Sequence, residues 1–285
     1  MARILFVHGV SHVELEDPTW VNEWQAVLAP ALRGTELVPG HVDYDDLFNF
    51  PLSPATTAKA IWQLTKSGVN SGLANLGDKI SGLFGRRRGL LGNLSNLVGW
   101  TAGMVVKWAG DPDLRKRCRD RVLEAMTAFE PDVVCAHSLG SLICYDTFVQ
   151  PDSRDAIKDR VFVTLGSQIG NDFVKGTFAG RIDLPQARAW YHFYNTNDWV
   201  FTAALETPSP NFLQIETDFD DPPLNHNALK YLAHPDAEAQ AWAALARPRT
   251  RQALQVGGKA LEQARATSLR SASTSRAATR TFVLY

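Results

Sequence analysis

Residues 131–149 read PDVVCAHSLGSLICYDTFV, and the fold turns on how this stretch divides. Val133–Ala136 is a short β-branched run of the kind that forms a buried strand. Leu139–Val149 is a mostly apolar run long enough to be a helix packed against it. Between them stands Ala136-His137-Ser138-Leu139-Gly140. A serine at so sharp a strand-to-helix turn takes a strained backbone conformation that pushes its hydroxyl out at the sheet edge. The flanking positions two before and two after must be small so that strand and helix can approach, and Ala136 and Gly140 satisfy this.

The same alternation extends in both directions. Ile4–Val7, Glu36–Asp43, Val161–Leu165, Ala189–Tyr194 and Phe212–Glu216 read as further strands. Trp20–Leu32, Leu114–Phe129, Asn227–Leu232 and Pro235–Ala246 read as helices. Pro39 predicts that the second strand is short or lies at an edge. On the Leu114–Phe129 helix the apolar stripe is Leu114, Cys118, Val122, Ala125 and Phe129. Strands alternating with helices predict an α/β fold with a mostly parallel sheet.

Residues 51–111 break the alternation. Within 68–110 lie ten of the twenty glycines, together with apolar residues recurring every three or four positions. The period is helical, yet each glycine weakens a helix by about 1 kcal/mol relative to alanine, so these helices need an apolar surface to lie on. They read as a helical cap insertion over a pocket. Arg86-Arg87-Arg88 interrupts the segment and argues against a single membrane span; Leu90–Ala109 approaches spanning length but carries Asn93, Ser95, Asn96 and Lys107.

Of the 285 residues, 45% are hydrophobic and 21% charged, a globular balance. The net charge of −1 excludes a chain-wide basic field, so no nucleic-acid partner is expected. That total hides an asymmetry. Residues 247–285 hold eight Lys/Arg against the single acid Glu262, forming a basic Arg/Ser/Ala-rich extension beyond a core of residues 1–246. Peripheral membrane contact is expected, if anywhere, through 68–110 or this tail. Three cysteines are too few for a disulfide framework. No signal-peptide pattern follows the opening MARILFVHGV, so the expected setting is cytoplasmic, with at most a peripheral membrane contact. HExxH, CxxC, phosphate-loop and dinucleotide fingerprints are missing, and neither a metal nor a cofactor is expected.

On the Ala136–Gly140 turn, most of residues 3–235 resemble the α/β-hydrolase family and its lipase and esterase branch. The family has glycine where this chain has Ala136. The sheet also begins directly at the first oxyanion strand, without the usual preceding hairpin, and the cap lies before the nucleophile strand rather than after it. The resemblance implies Ser138 as nucleophile, followed in chain order by an acid and a histidine. Asp198, in Asn195-Thr196-Asn197-Asp198-Trp199-Val200 after a strand, is the expected acid, with Asp172 its main rival and Asp183 and Asp218 weaker ones. His226, after the last strand, is the expected base. The oxyanion donors implied are the backbone N–H groups of Leu139 and of Val10, the latter following His8-Gly9. The expected activity is hydrolysis of a carboxylic ester with an acyl or lipid-like substrate. An acyl-thioesterase or deacylase on the same triad stays open. So does a non-catalytic scaffold whose apolar segment binds a membrane or partner. Oligomeric state is left open.

Overall fold

The structure, a computed structural model, describes residues 1–9, 19–50, 59–60, 62–64, 91–198, 200, 202–205, 207–221 and 225–245, with backbone alone for 91–99. Six strands form one all-parallel sheet: β1 (Ala2–Val7), β2 (Leu37–His41), β3 (Val133–His137), β4 (Val161–Leu165), β5 (Ala189–Asn195) and β6 (Phe212–Thr217). Their spatial order is β2-β1-β3-β4-β5-β6. β2 is thus an edge strand, as Pro39 requires. β3 and β4 are buried at every residue, which is what a parallel sheet covered on both faces demands of its central strands.

The covering helices follow from the side-chain alternation of the strands. Ile4, Phe6, Val133, Cys135, Val163 and Leu165 point to one face, where α1 (Thr19–Ala31) packs through Val21, Trp24 and Leu28. Short α6 (Ala228–Leu232) joins them through Tyr231 and Leu232. So does a final helical stretch: α7 (Pro235–Ala237), a π-turn at Glu238–Trp242, and α8 (Ala243–Leu245). Leu5, Val7, Val134, Ala136 and Phe162 point to the other face. That face is covered by α2 (Leu91–Gly110), α3 (Pro112–Phe129) and α4 (Ser138–Val149), with Val174 of α5 (Asp172–Thr177). The α/β class expected from the sequence is therefore observed.

Two local readings are adjusted. α3 starts at Pro112 rather than Leu114, because Asp111 caps it by accepting the Leu114 N–H at 3.0 Å and Pro112 fits a first turn whose N–H groups go unused. Its fully buried stripe is Leu114, Cys118, Val122 and Met126, a spacing of four, while Ala125 and Phe129 are only partly buried. Residues 100–110, assigned above to the cap, enter the core through Ala102, Met104, Val105 and Trp108. Residues 51–58, 61, 65–90 and 246–285 lie outside the described residues, so most of the cap and the basic tail do too. Among the described residues, no helix is long and apolar enough to cross a membrane.

α4 is buried on all sides from Ser138 to Phe148, including Asp146. That carboxylate accepts from Arg119 Nη1 at 2.7 Å, Arg115 Nε at 3.2 Å and Gln150 Nε2 at 2.8 Å, which compensates its burial and locks α3 against α4. The chain runs from β1 to the β2 edge, then returns past β1 to β3. The connections on either side of β1 therefore depart to opposite faces, and the strand order reverses between β1 and β3, at whose carboxyl ends parallel α/β sheets bind ligands. His8-Gly9 leaves β1 there, and Ser138 leaves β3.

Candidate active site

The turn from β3 into α4 is the first element of the site. Ser138 has φ of +52°, a left-handed conformation that costs a non-glycine residue energy and is held by the packing around it. The geometry explains the small neighbours. A side-chain carbon on Gly140 would run into the carbonyls of His8 and Val7, the latter at 2.7 Å; one on Gly9 would stand 2.8 Å from Ser138 Cβ. Both glycines let the β1 end and the α4 start touch. Ser141 strengthens the turn by donating to the Ser138 carbonyl, and its Oγ lies 2.6 Å from Ser167 Oγ after β4.

Gly140→Ala is accordingly expected to cost about 3 kcal/mol in denaturant unfolding, since backbone carbonyls cannot step aside. Gly176→Ala, where nothing lies within 4 Å of the added carbon, should be neutral or stabilising by the same measurement.

His226 and Asp198 meet this serine from the far half of the sheet. His226 Nε2 is 2.8 Å from Ser138 Oγ, and His226 Nδ1 is 2.6 Å from Asp198 Oδ2. Asp198 follows β5 in a tight turn: its N–H donates to the Asn195 carbonyl at 3.0 Å, and Asn195 Oδ1 accepts the Asn197 N–H at 2.8 Å. The carboxylate is buried and fully hydrogen-bonded. Oδ1 accepts the Val200 N–H at 2.8 Å, and Oδ2 accepts from Tyr231 Oη at 2.8 Å as well as from His226. His226 itself follows Asn225, whose φ of +54° suits asparagine better than most residues. The Asn225 amide donates to the Asn197 carbonyl at 3.1 Å and its oxygen accepts the Asp221 N–H at 2.6 Å, so one side chain ties the histidine loop to the acid loop.

The rival acids are engaged elsewhere. Asp172 pairs with Lys175 at 2.6 Å, Asp183 with Arg181 at 3.2 Å, and Asp218 with His234 at 3.0 Å. His192 is fully buried, with Nε2–H donating to the Ala203 carbonyl at 3.2 Å and Nδ1 2.8 Å from Thr164 Oγ1; burial lowers its pKa to about 4, so it stays neutral. His137 packs on His226, ring centroids 4.6 Å apart, and burial above all, then the charge of His226, holds its pKa well below the usual value.

The oxyanion side is described in part. α4 begins at Ser138, so the Leu139 N–H belongs to a helix start whose first N–H groups have no partner within the helix, and the helix dipole favours negative charge there. Val10 lies outside the described residues. Preceding Val10, His8-Gly9 is clamped. Tyr44 Oη donates to the His8 carbonyl, His8 Nδ1 donates to the Gly9 carbonyl, and His8 stacks on the Tyr44 ring at 5.2 Å. His8 Nε2 lies 3.4 Å from Asp45; burial lowers the pKa of His8 and raises that of Asp45. Among the described residues no group of three or more His, Cys, Asp or Glu could hold a metal ion.

The structure thus brings Ser138, His226 and Asp198 into one hydrogen-bonded line. No family model, curated protein or solved structure matches the chain. The site is therefore read on its own geometry. That geometry includes residues that sequence reasoning missed: Tyr231, Asn225 and Gln168, whose buried amide donates to the Val200 carbonyl at 2.9 Å. An asparagine directly before the histidine was the one available signal, since asparagine tolerates the left-handed turn.

Proposed function

We propose that the chain is a serine hydrolase of the α/β-hydrolase type, cleaving a carboxylic ester with an acyl or lipid-like group through an acyl-enzyme. The observation that carries this reading is the line from Asp198 Oδ2 through His226 to Ser138 Oγ, with steps of 2.6 and 2.8 Å. A serine hydroxyl is a weak nucleophile until a base removes its proton, and a neutral imidazole within hydrogen-bond reach does that. The position of this line at the strand-order reversal also supports the reading.

In the proposed reaction, His226 Nε2 takes the Ser138 proton as Oγ bonds to the ester carbonyl carbon. Asp198 holds His226 with its proton on Nδ1 and stabilises the imidazolium, without taking the proton itself. The carbonyl electron pair becomes an oxyanion at the Leu139 N–H, with Val10 N–H as the proposed second donor. Each such donor is worth about 3–4 kcal/mol to the transition state. Collapse expels the alcohol, which carries away the proton from His226, and leaves Ser138 acylated. Water then gives a proton to His226 and attacks the acyl carbon; collapse returns that proton to Ser138 and releases the carboxylic acid. The proposed setting is cytoplasmic, with membrane contact assigned to 68–110 or the basic tail.

A fluorophosphonate probe tests the reading, because it phosphonylates only activated serines. Stoichiometric labelling that maps to Ser138 by peptide mass spectrometry, with hydrolysis of nitrophenyl esters, is the expected result. Folded protein that takes up no probe, with or without detergent, would overturn it.

A further inference from the structure

We propose that Tyr231 is a positioning residue for the candidate relay: by donating its phenol O–H to the same Asp198 oxygen that holds His226, it sets how strongly the carboxylate binds the imidazolium. The catalytic part of this proposal rests on the hydrolase reading; the effect on His226 does not.

Two donors converge on Asp198 Oδ2, Tyr231 Oη at 2.8 Å and His226 Nδ1 at 2.6 Å, while Oδ1 is occupied by the Val200 N–H. The phenol is fixed from every side. Its ring is fully buried and meets the Phe219 ring edge-on at 4.8 Å. Gly166, at φ +55°, opens the space in which the Tyr231 and His226 rings lie side by side; an added carbon there would be 3.0 Å from the first and 3.1 Å from the second. Burial and then the neighbouring Asp198 charge push the phenol's pKa well above 10, so it remains a donor.

A carboxylate oxygen that serves two donors holds each less firmly than one serving a single donor. Removing the phenol proton-donor concentrates the negative charge on His226 and favours its protonated form. The base is then occupied up to a higher pH. Among the described residues, the other groups facing His226 are Ser138 at the α4 start and His137 at the β3 end; His8, at the end of β1, acts on His137. None of them changes when only the Tyr231 oxygen is removed.

The test compares wild type, Tyr231→Phe and a chain carrying 3-fluorotyrosine at position 231, whose O–H is a stronger donor. The His226 ring is titrated by NMR, its signal assigned by loss in His226→Gln, and the pH dependence of fluorophosphonate labelling is followed in parallel. In Tyr231→Phe both midpoints should rise by about one pH unit, an approximately tenfold slower labelling below the limb. In the fluorotyrosine chain both should fall. A His226 midpoint that stays at its wild-type position in both chains would overturn the proposal and make Tyr231 a packing residue. If Tyr231→Phe fails to fold, the direction of the fluorotyrosine shift decides alone. A wild type that takes no label while the His226 midpoint still moves as stated would refute the hydrolase reading and support the role of Tyr231.

Discussion

Replacing Ser138 or His226 by alanine is expected to lower ester turnover by about 10⁶-fold each, and the double variant should be no slower than either single one. The reason lies in the 2.8 Å contact between His226 Nε2 and Ser138 Oγ. In the proposed reaction nucleophile and base perform one proton-coupled step, so removing one leaves the other with nothing to act on. A residual rate above the uncatalysed one is also expected, because the Leu139 N–H at the start of α4 remains. Steady-state kinetics on a nitrophenyl ester checks this. Losses that multiply in the double variant would mean that the two side chains act independently. Ser138 is 3% exposed and lies among buried helix residues, and deleting its hydroxyl leaves the backbone turn in place, so the variant should stay folded.

The second large effect belongs to the acid. Asp198→Asn should lower turnover by about 10⁴-fold, whereas Asp172→Asn should leave it within about twofold. The asparagine can keep its oxygen toward the Val200 N–H. Its amide then faces His226 Nδ1 and Tyr231 Oη, two groups that donate in the wild type. His226 must respond by moving its proton to Nε2, where it faces Ser138 Oγ and can no longer accept. Asp172 sits on the surface, paired with Lys175, with no contact to the histidine. The reverse pattern, with Asp172→Asn inactive and Asp198→Asn active, would overturn the assignment of the acid.

Why these residues could be named from sequence, and others not, has a physical basis. The strands were visible because buried parallel strands are short β-branched and aromatic runs. β4, read as Val161–Leu165, has those bounds in the structure, and the others differ by a few end residues. Ser138 was visible because its turn imposes small residues at fixed spacing, and Asp198 and His226 because the resemblance to α/β-hydrolases implies an acid and then a histidine after the serine, and both stand beyond strand ends. Tyr231 carried no such mark. On a five-residue helix a buried aromatic looks like core, and the partner that makes it more is 33 positions away. Gln168 was hidden for the same reason: its partner, the Val200 carbonyl, is set by how two loops fold over one another. Met126 was missed because the stripe of α3 is spaced by fours throughout, a detail decided by the angle at which the helix crosses the sheet.

The tie that Asn225 makes between the two loops has a consequence for assembly. Ser138 and His226 are separated by 88 positions, and the loops that carry Asp198 and His226 are tied by the Asn225 amide. During synthesis, β1, β3 and α4 can come together with the serine already seated while Asp198 and His226 are still to be made. Such long-range closures are among the last entropy costs a chain meets on folding. On the proposed hydrolase reading, the hydroxyl stays chemically inert in a nascent or half-unfolded chain and becomes reactive only when β5, β6 and α6 have docked. Its reactivity toward a probe then works as a clock for completion of the sheet.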